Sequence, residues 1–160
     1  MKKVFALFLL LASSLVFAAP ASIFKAEVKA PMQITYKLLY EALEKERLWV
    51  VFEADIGQNL SAMADRLGED YNRNKLESLR TMVVCNAFLA NRVSNLDPDM
   101  LALCPLRVAV THKAGTTQVL FAKPTIHAQG SAALPVVLEI ENSVIDAIKT
   151  AMGQAAVQEI

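Results

Sequence analysis

The 160-residue chain has two cysteines, five glycines and six prolines, and its formal net charge is zero. Each shortage excludes something. Without a Cys-x-x-Cys pair there is no thioredoxin-type redox motif, and without Cys-x-x-Cys-His there is no standard c-type haem attachment. So little Gly and Pro argues against a disordered or low-complexity chain. Balanced charge leaves no long-range field to draw in polyanions, so nucleic acid is not expected as a partner. Gly-x-Ser-x-Gly, a phosphate-cradling glycine loop and His-Glu-x-x-His are missing as well. No internal repeat is found.

What is there begins with the leader MKKVFALFLLLASSLVFAAP. Lys2 and Lys3 form a basic start, Val4 to Leu11 form an apolar run, and Val16 and Ala18 are the small residues wanted before a cleavage point. This predicts a signal peptide over 1–18, cut between Ala18 and Ala19, and a periplasmic or secreted product. The run is shorter than the ~20 apolar residues of a spanning helix and is broken by Ser13 and Ser14, so no membrane span is expected after cleavage. No cysteine lies near the cut to carry a lipid. Residues 19–160 suit one domain with a substantial core.

Hydropathy patterning orders that domain as βαβαβαββα. Strands are expected over Ile23–Lys29, Leu48–Ile56 and Leu79–Val84, and a hairpin over Leu106–Thr111 and Thr116–Ala122, turned by Lys113-Ala114-Gly115. Helices are expected over Ile34–Glu46, Gln58–Leu67, Ala87–Leu96 and from Pro135 to Met152. Gly68 reads as the residue that closes the second of them, with Leu60, Met63, Ala64 and Leu67 turned inward. The implied class is α+β, a single mixed β-sheet of about five strands covered by helices.

Three segments carry a family resemblance: VVFEADIGQNLSAMADRLG, LRTMVVCNAFLANRV and DPDMLALCPLRVAV. Together they resemble the bacterial domain-of-unknown-function family numbered 302, from about Ile23 to Met152. Its most specific pieces here are Cys85-Asn86 before a helix, and Asp97-Pro98 followed by Cys104-Pro105 before the hairpin. The resemblance implies a compact α+β domain, often a homodimer, with no assigned activity. Ala87 stands where the family commonly has Pro, and Cys104-Pro105 reverses the common Pro-Cys order.

Cys85 and Cys104 admit several roles. They are buried thiols, a disulfide that an oxidising compartment permits, or a reactive pair in which Cys85 precedes a helix N-terminus that favours a thiolate. Asn86 is explained without function as a helix cap. His112 and His127 would complete a Cys2His2 zinc set, but the ligands lack close pairing and make weak metal candidates. No metal or cofactor is therefore expected. Glu53 and Asp55 alternate along one strand and read as its solvated face, and Arg80 reads as mixed-charge surface. Tyr36 and Tyr40 read as core or staple residues. The reading leans away from an enzyme, toward an exported, non-catalytic module that binds a small ligand or a protein, or serves assembly. The alternative is a thiol-dependent redox protein using Cys85, with Cys104 as resolving partner.

Overall fold

The structure, a computed structural model, describes residues 22–157. The expected signal segment 1–18 lies outside them. The chain folds as an α+β domain around one five-stranded sheet. Its strands are β1 (Ile23–Lys29), β2 (Trp49–Asp55), β3 (Ser78–Cys85), β4 (Leu106–Lys113) and β5 (Thr116–Ala122), in the spatial order β1-β5-β4-β3-β2. Every pairing is antiparallel, so the sheet is not mixed. The crossing through α1 returns the chain in the same direction, but it carries β2 to the edge opposite β1, so the two parallel strands never pair and β1 pairs with β5 instead.

The helices are α1 (Met32–Lys45), α2 (Ile56–Ser61), α3 (Ala64–Leu67), α4 (Ala87–Leu96) and α5 (Leu134–Val157). α1 starts directly after Pro31, two residues earlier than its periodicity suggests, and buries Met32, Thr35, Tyr36, Leu39, Ala42 and Leu43. That spacing is one continuous helical stripe. It packs with α5 on the sheet face made by Val28, Met82, Val84, Val108, Val110, Val119 and Phe121. α5 runs five residues past Met152, to Val157. Its first turns build a smaller core with Val93, Ala128 and Ala133 beneath α4.

Helices cover one face of the sheet. On the other, Lys25, Glu27 and Phe52 are exposed and Val83, Ala109, Gln118 and Leu120 are half-buried. Lys25 Nζ and Gln118 Nε2 both bind Glu27 Oε1, at 2.8 and 2.6 Å.

The helix expected over Gln58–Leu67 is two short helices followed by a 3-10 turn at Gly68–Asp70. Leu60, Met63 and Leu67 are exposed rather than inward, because this segment caps the end of the sheet and has little to pack against. The β4–β5 hairpin closes as expected, with Ala114 and Gly115 at φ 48 and 74°. Two consecutive positive φ angles form the tight turn whose twist matches paired strands.

Candidate functional site

One local irregularity decides where the chemistry gathers. Trp49 pairs with Cys85 and Val50 with Val84, but Phe52 pairs with Val83, so Val51 is a bulge residue. An extra residue reverses the alternation of everything that follows. Val51 and Phe52 therefore end up exposed, at 59% and 62%. Glu53 falls opposite the fully buried Met82, and Asp55 opposite Arg80, both on the helix-covered side of the sheet. Glu53 and Asp55 are exposed, as expected of a solvated strand face, but they project at the rim of the helix-covered side, where α1 can reach them. Arg80 likewise points to the helix side, since Met82 and Val84 alternate with it.

At the rim of that face α1 meets β2 and β3 over an open cleft of about 520 Å³. The Tyr36 hydroxyl donates to Glu53 Oε2 at 2.6 Å. The Arg80 guanidinium lies 4.4 Å from the centre of the Tyr36 ring, within cation–π range. Its Nη2 is 3.7 Å from Glu53 Oε2, an ion pair too long to be a hydrogen bond. Its Nε is buried and has no hydrogen-bond partner. Burial, then the hydrogen bond and charge of Glu53, hold the Tyr36 phenol well above its ordinary pKa. Tyr40, on the same cleft, is raised chiefly by the charge of Glu44.

Asp55 also caps α2, its Oδ1 accepting from Gln58 N at 2.8 Å. A second cleft of about 510 Å³ lies beyond it, walled by Tyr71, Asn72 and Glu77. Asp55 and Ser78 line both clefts.

The residues singled out from the sequence sit elsewhere. Cys85 ends β3 and Cys104 precedes β4; both are free and half-buried. Burial raises the Cys104 thiol pKa, and the neighbouring Cys85 adds to the shift. Asn86 caps α4, accepting from the backbone N–H groups of Phe88 and Leu89 at 3.0 and 3.1 Å. Asp97 caps the 3-10 turn that begins at Pro98, accepting from Asp99 N, and also accepts from the Ser131 hydroxyl. Pro105 follows Cys104 through a cis peptide bond. These motif residues are thus explained by backbone geometry.

His112 pairs with Ser78 at the far end of β3 from Cys85, a separation of about 23 Å at the usual rise per strand residue. The Cys2His2 combination is therefore not assembled. His112 Nδ1 instead contacts Thr117 Oγ1 at 2.9 Å, and Nε2 lies 3.6 Å from Glu77. His127 follows the short 3-10 turn Pro124–Ile126. Among the described residues, no group of three or more His, Cys, Asp or Glu side chains is placed to hold a metal. Nor is any described helix long and apolar enough to cross a membrane.

Sequence spacing alone does not mark Tyr36, Glu53, Asp55 and Arg80 as a cluster. One signal was present. The run Trp49-Val50-Val51-Phe52 does not alternate, and a register break inside it is what unbroken apolar residues before a charged pair allow.

Comparison with known proteins adds the family and a fold. The family model "Domain of unknown function DUF302" matches residues 24–155. A solved structure titled as an uncharacterised conserved DUF302 protein from Bacillus stearothermophilus is similar at a TM-score of 0.72 and 21% identity. The match covers 82% of this chain and 99% of that one. No curated protein matches the chain.

Proposed function

The chain belongs to the family of domain of unknown function DUF302, and from that premise we propose that it is an exported, non-catalytic module that binds a small polar ligand in the Arg80 cleft. The observation that carries this reading is the cleft of about 520 Å³ with mixed charges converging on it. That volume falls within the range of small-molecule sites, and a few placed polar groups against an otherwise ordinary wall are what such sites use for orientation. Arg80 is anchored by stacking, its Nε has no hydrogen-bond partner and its Nη2 makes only a long ion pair, which suits a ligand contact better than a structural bond.

Tyr36 is held protonated and already bonded, so it is a poor general base at neutral pH. The thiol alternative draws on the closeness of Cys85 and Cys104, but burial disfavours the Cys104 thiolate that exchange would require.

The test is native mass spectrometry of protein purified without denaturation from its own host. A non-covalent adduct of small-molecule mass is expected, retained by the wild type and lost from Arg80→Gln. The same spectrum reports whether residues 1–18 are removed. If bare protein is recovered and addition of a small-molecule extract moves no NMR resonance of Tyr36, Asp55 or Arg80, the reading fails.

A further inference from the structure

We infer that the ligand of the Arg80 cleft is a small zwitterion of the amino-acid type, with a carboxylate on Arg80 and an ammonium group on Asp55. This rests on the proposal that the cleft is a binding site. The argument starts from the charges that line it. Lys37 and Glu41 lie 3.8 Å apart and neutralise each other. Arg80 and Glu53 form a second, longer pair at 3.7 Å. Asp55 is the carboxylate left over.

Each half of the pair that matters is incompletely used. Arg80 has five N–H donors in a planar fork that fits a carboxylate. Its Nε has no acceptor, and Glu53 spends its short hydrogen bond on Tyr36 instead. Turning the guanidinium toward a ligand would therefore break a ring contact and a long ion pair, but no hydrogen bond at Nε. Asp55 commits Oδ1 to the α2 cap. Its second oxygen remains to accept from a cation.

Their placement supplies the geometry. Asp55 and Arg80 face each other directly across the β2–β3 pair. Side chains so opposed start about 5 Å apart at Cβ, a separation that two groups on one amino-acid backbone can bridge. A simple anion at Arg80 would meet the charges of Glu53 and Asp55, and a simple amine at Asp55 would meet Arg80. A ligand carrying both charges meets neither penalty. The adjoining cleft beyond Asp55, with Tyr71, Asn72 and Glu77, offers room for the ligand's own side chain.

The experiment titrates 15N-labelled protein with each free proteinogenic amino acid, following the Arg80 Nε–H resonance. The best binder is then compared with its methyl ester and its N-acetyl derivative. At least one free amino acid is expected to shift Arg80, with both derivatives weakened by about tenfold or more, the scale of one lost charged contact. Asp55→Asn keeps an equally good helix cap, so it should fold normally and lose the same factor toward the free amino acid. It should lose none toward the N-acetyl derivative. If the ester or the acetylated form binds as tightly as the parent, the zwitterion is wrong while the cleft remains a binding site. If no amino acid, ester or N-acetyl derivative shifts a cleft resonance, the zwitterion is likewise overturned. The host adduct and its loss in Arg80→Gln then decide separately whether the cleft binds anything at all.

Discussion

The Tyr36 hydroxyl reaches Glu53 Oε2 across 2.6 Å, tying the middle of α1 to the edge strand β2. The bond spans a helix and a strand, so it reports directly on whether the cleft is formed. Replacing Tyr36 with Phe removes a charge-assisted hydrogen bond while keeping the ring under Arg80. Because Glu53 is more than a third exposed, the cost is expected to be about 1 kcal/mol, below the usual figure for bonds to charged groups. Urea denaturation measures it.

The same bond predicts a pH dependence. Burial and the Glu53 bond hold the Tyr36 phenol of the folded protein above its ordinary value of 10.0. A raised pKa contributes stability that is complete below the unfolded value and is lost as pH rises beyond it. Stability should therefore fall above about pH 10 in the wild type, and fall less steeply in Tyr36→Phe. Phenolate absorbance should show at least one fewer tyrosine titrating in native than in unfolded protein near pH 11, and Tyr36→Phe should remove that difference for Tyr36. Identical alkaline titrations of the two states would refute the assignment.

The bulge makes a prediction of unusual sign. Val51 is the extra residue, so its deletion leaves Phe52 opposite Val83 and Glu53 opposite Met82. The shortened protein should fold and keep the raised pKa of Tyr36. Inserting an alanine between Phe52 and Glu53 should instead reverse the faces of Glu53 and Asp55 and let Tyr36 titrate normally. Should the insertion leave the phenol unchanged, the register argument is wrong.

Glu141 is a buried carboxylate of α5 that accepts from Thr125 N at 3.0 Å and Thr125 Oγ1 at 2.6 Å. It joins the turn after β5 to the helix. Glu141→Ala strands both donors and should cost about 2–3 kcal/mol, since buried unsatisfied groups are expensive. Glu141→Gln retains an acceptor and should cost less. Chemical denaturation of the two variants distinguishes this bond from simple packing.

The motif cysteine and its cap are separable. Asn86→Ala should destabilise the protein by about 1 kcal/mol, and Asn86→Asp should restore it, as expected of an N-cap. Cys104, its thiol pKa raised by burial, should react with a thiol-modifying reagent more slowly than it does in unfolded protein at neutral pH. Mass spectrometry after timed alkylation reads this out. Equal rates in the two states would show that the site is open.

Much of the fold was legible because its signals are local. The alternation of Ile23–Lys29, the Asn86 cap and the Ala114–Gly115 turn each depend on a few neighbouring residues. The same is true of the valines and isoleucines of α5, spaced at three and four residues. Where the reading missed, the missing information was not local. Leu60, Met63 and Leu67 have helical spacing, but among the described residues no neighbouring element covers them. The antiparallel sense of the sheet depends on β1 pairing with β5, about ninety residues later.

By itself, the sequence determined the α+β class, the element order and the caps, since backbone propensity, hydrophobic period and turn chemistry act over short spans. Only the tertiary structure decided that Glu53, Asp55, Arg80 and Tyr36 belong together. A single bulged residue in β2 chooses which side its carboxylates face, and the packing of α1 chooses what they meet there. Neither choice is encoded in spacing along the chain, because both are made by contacts between segments that the sequence holds apart.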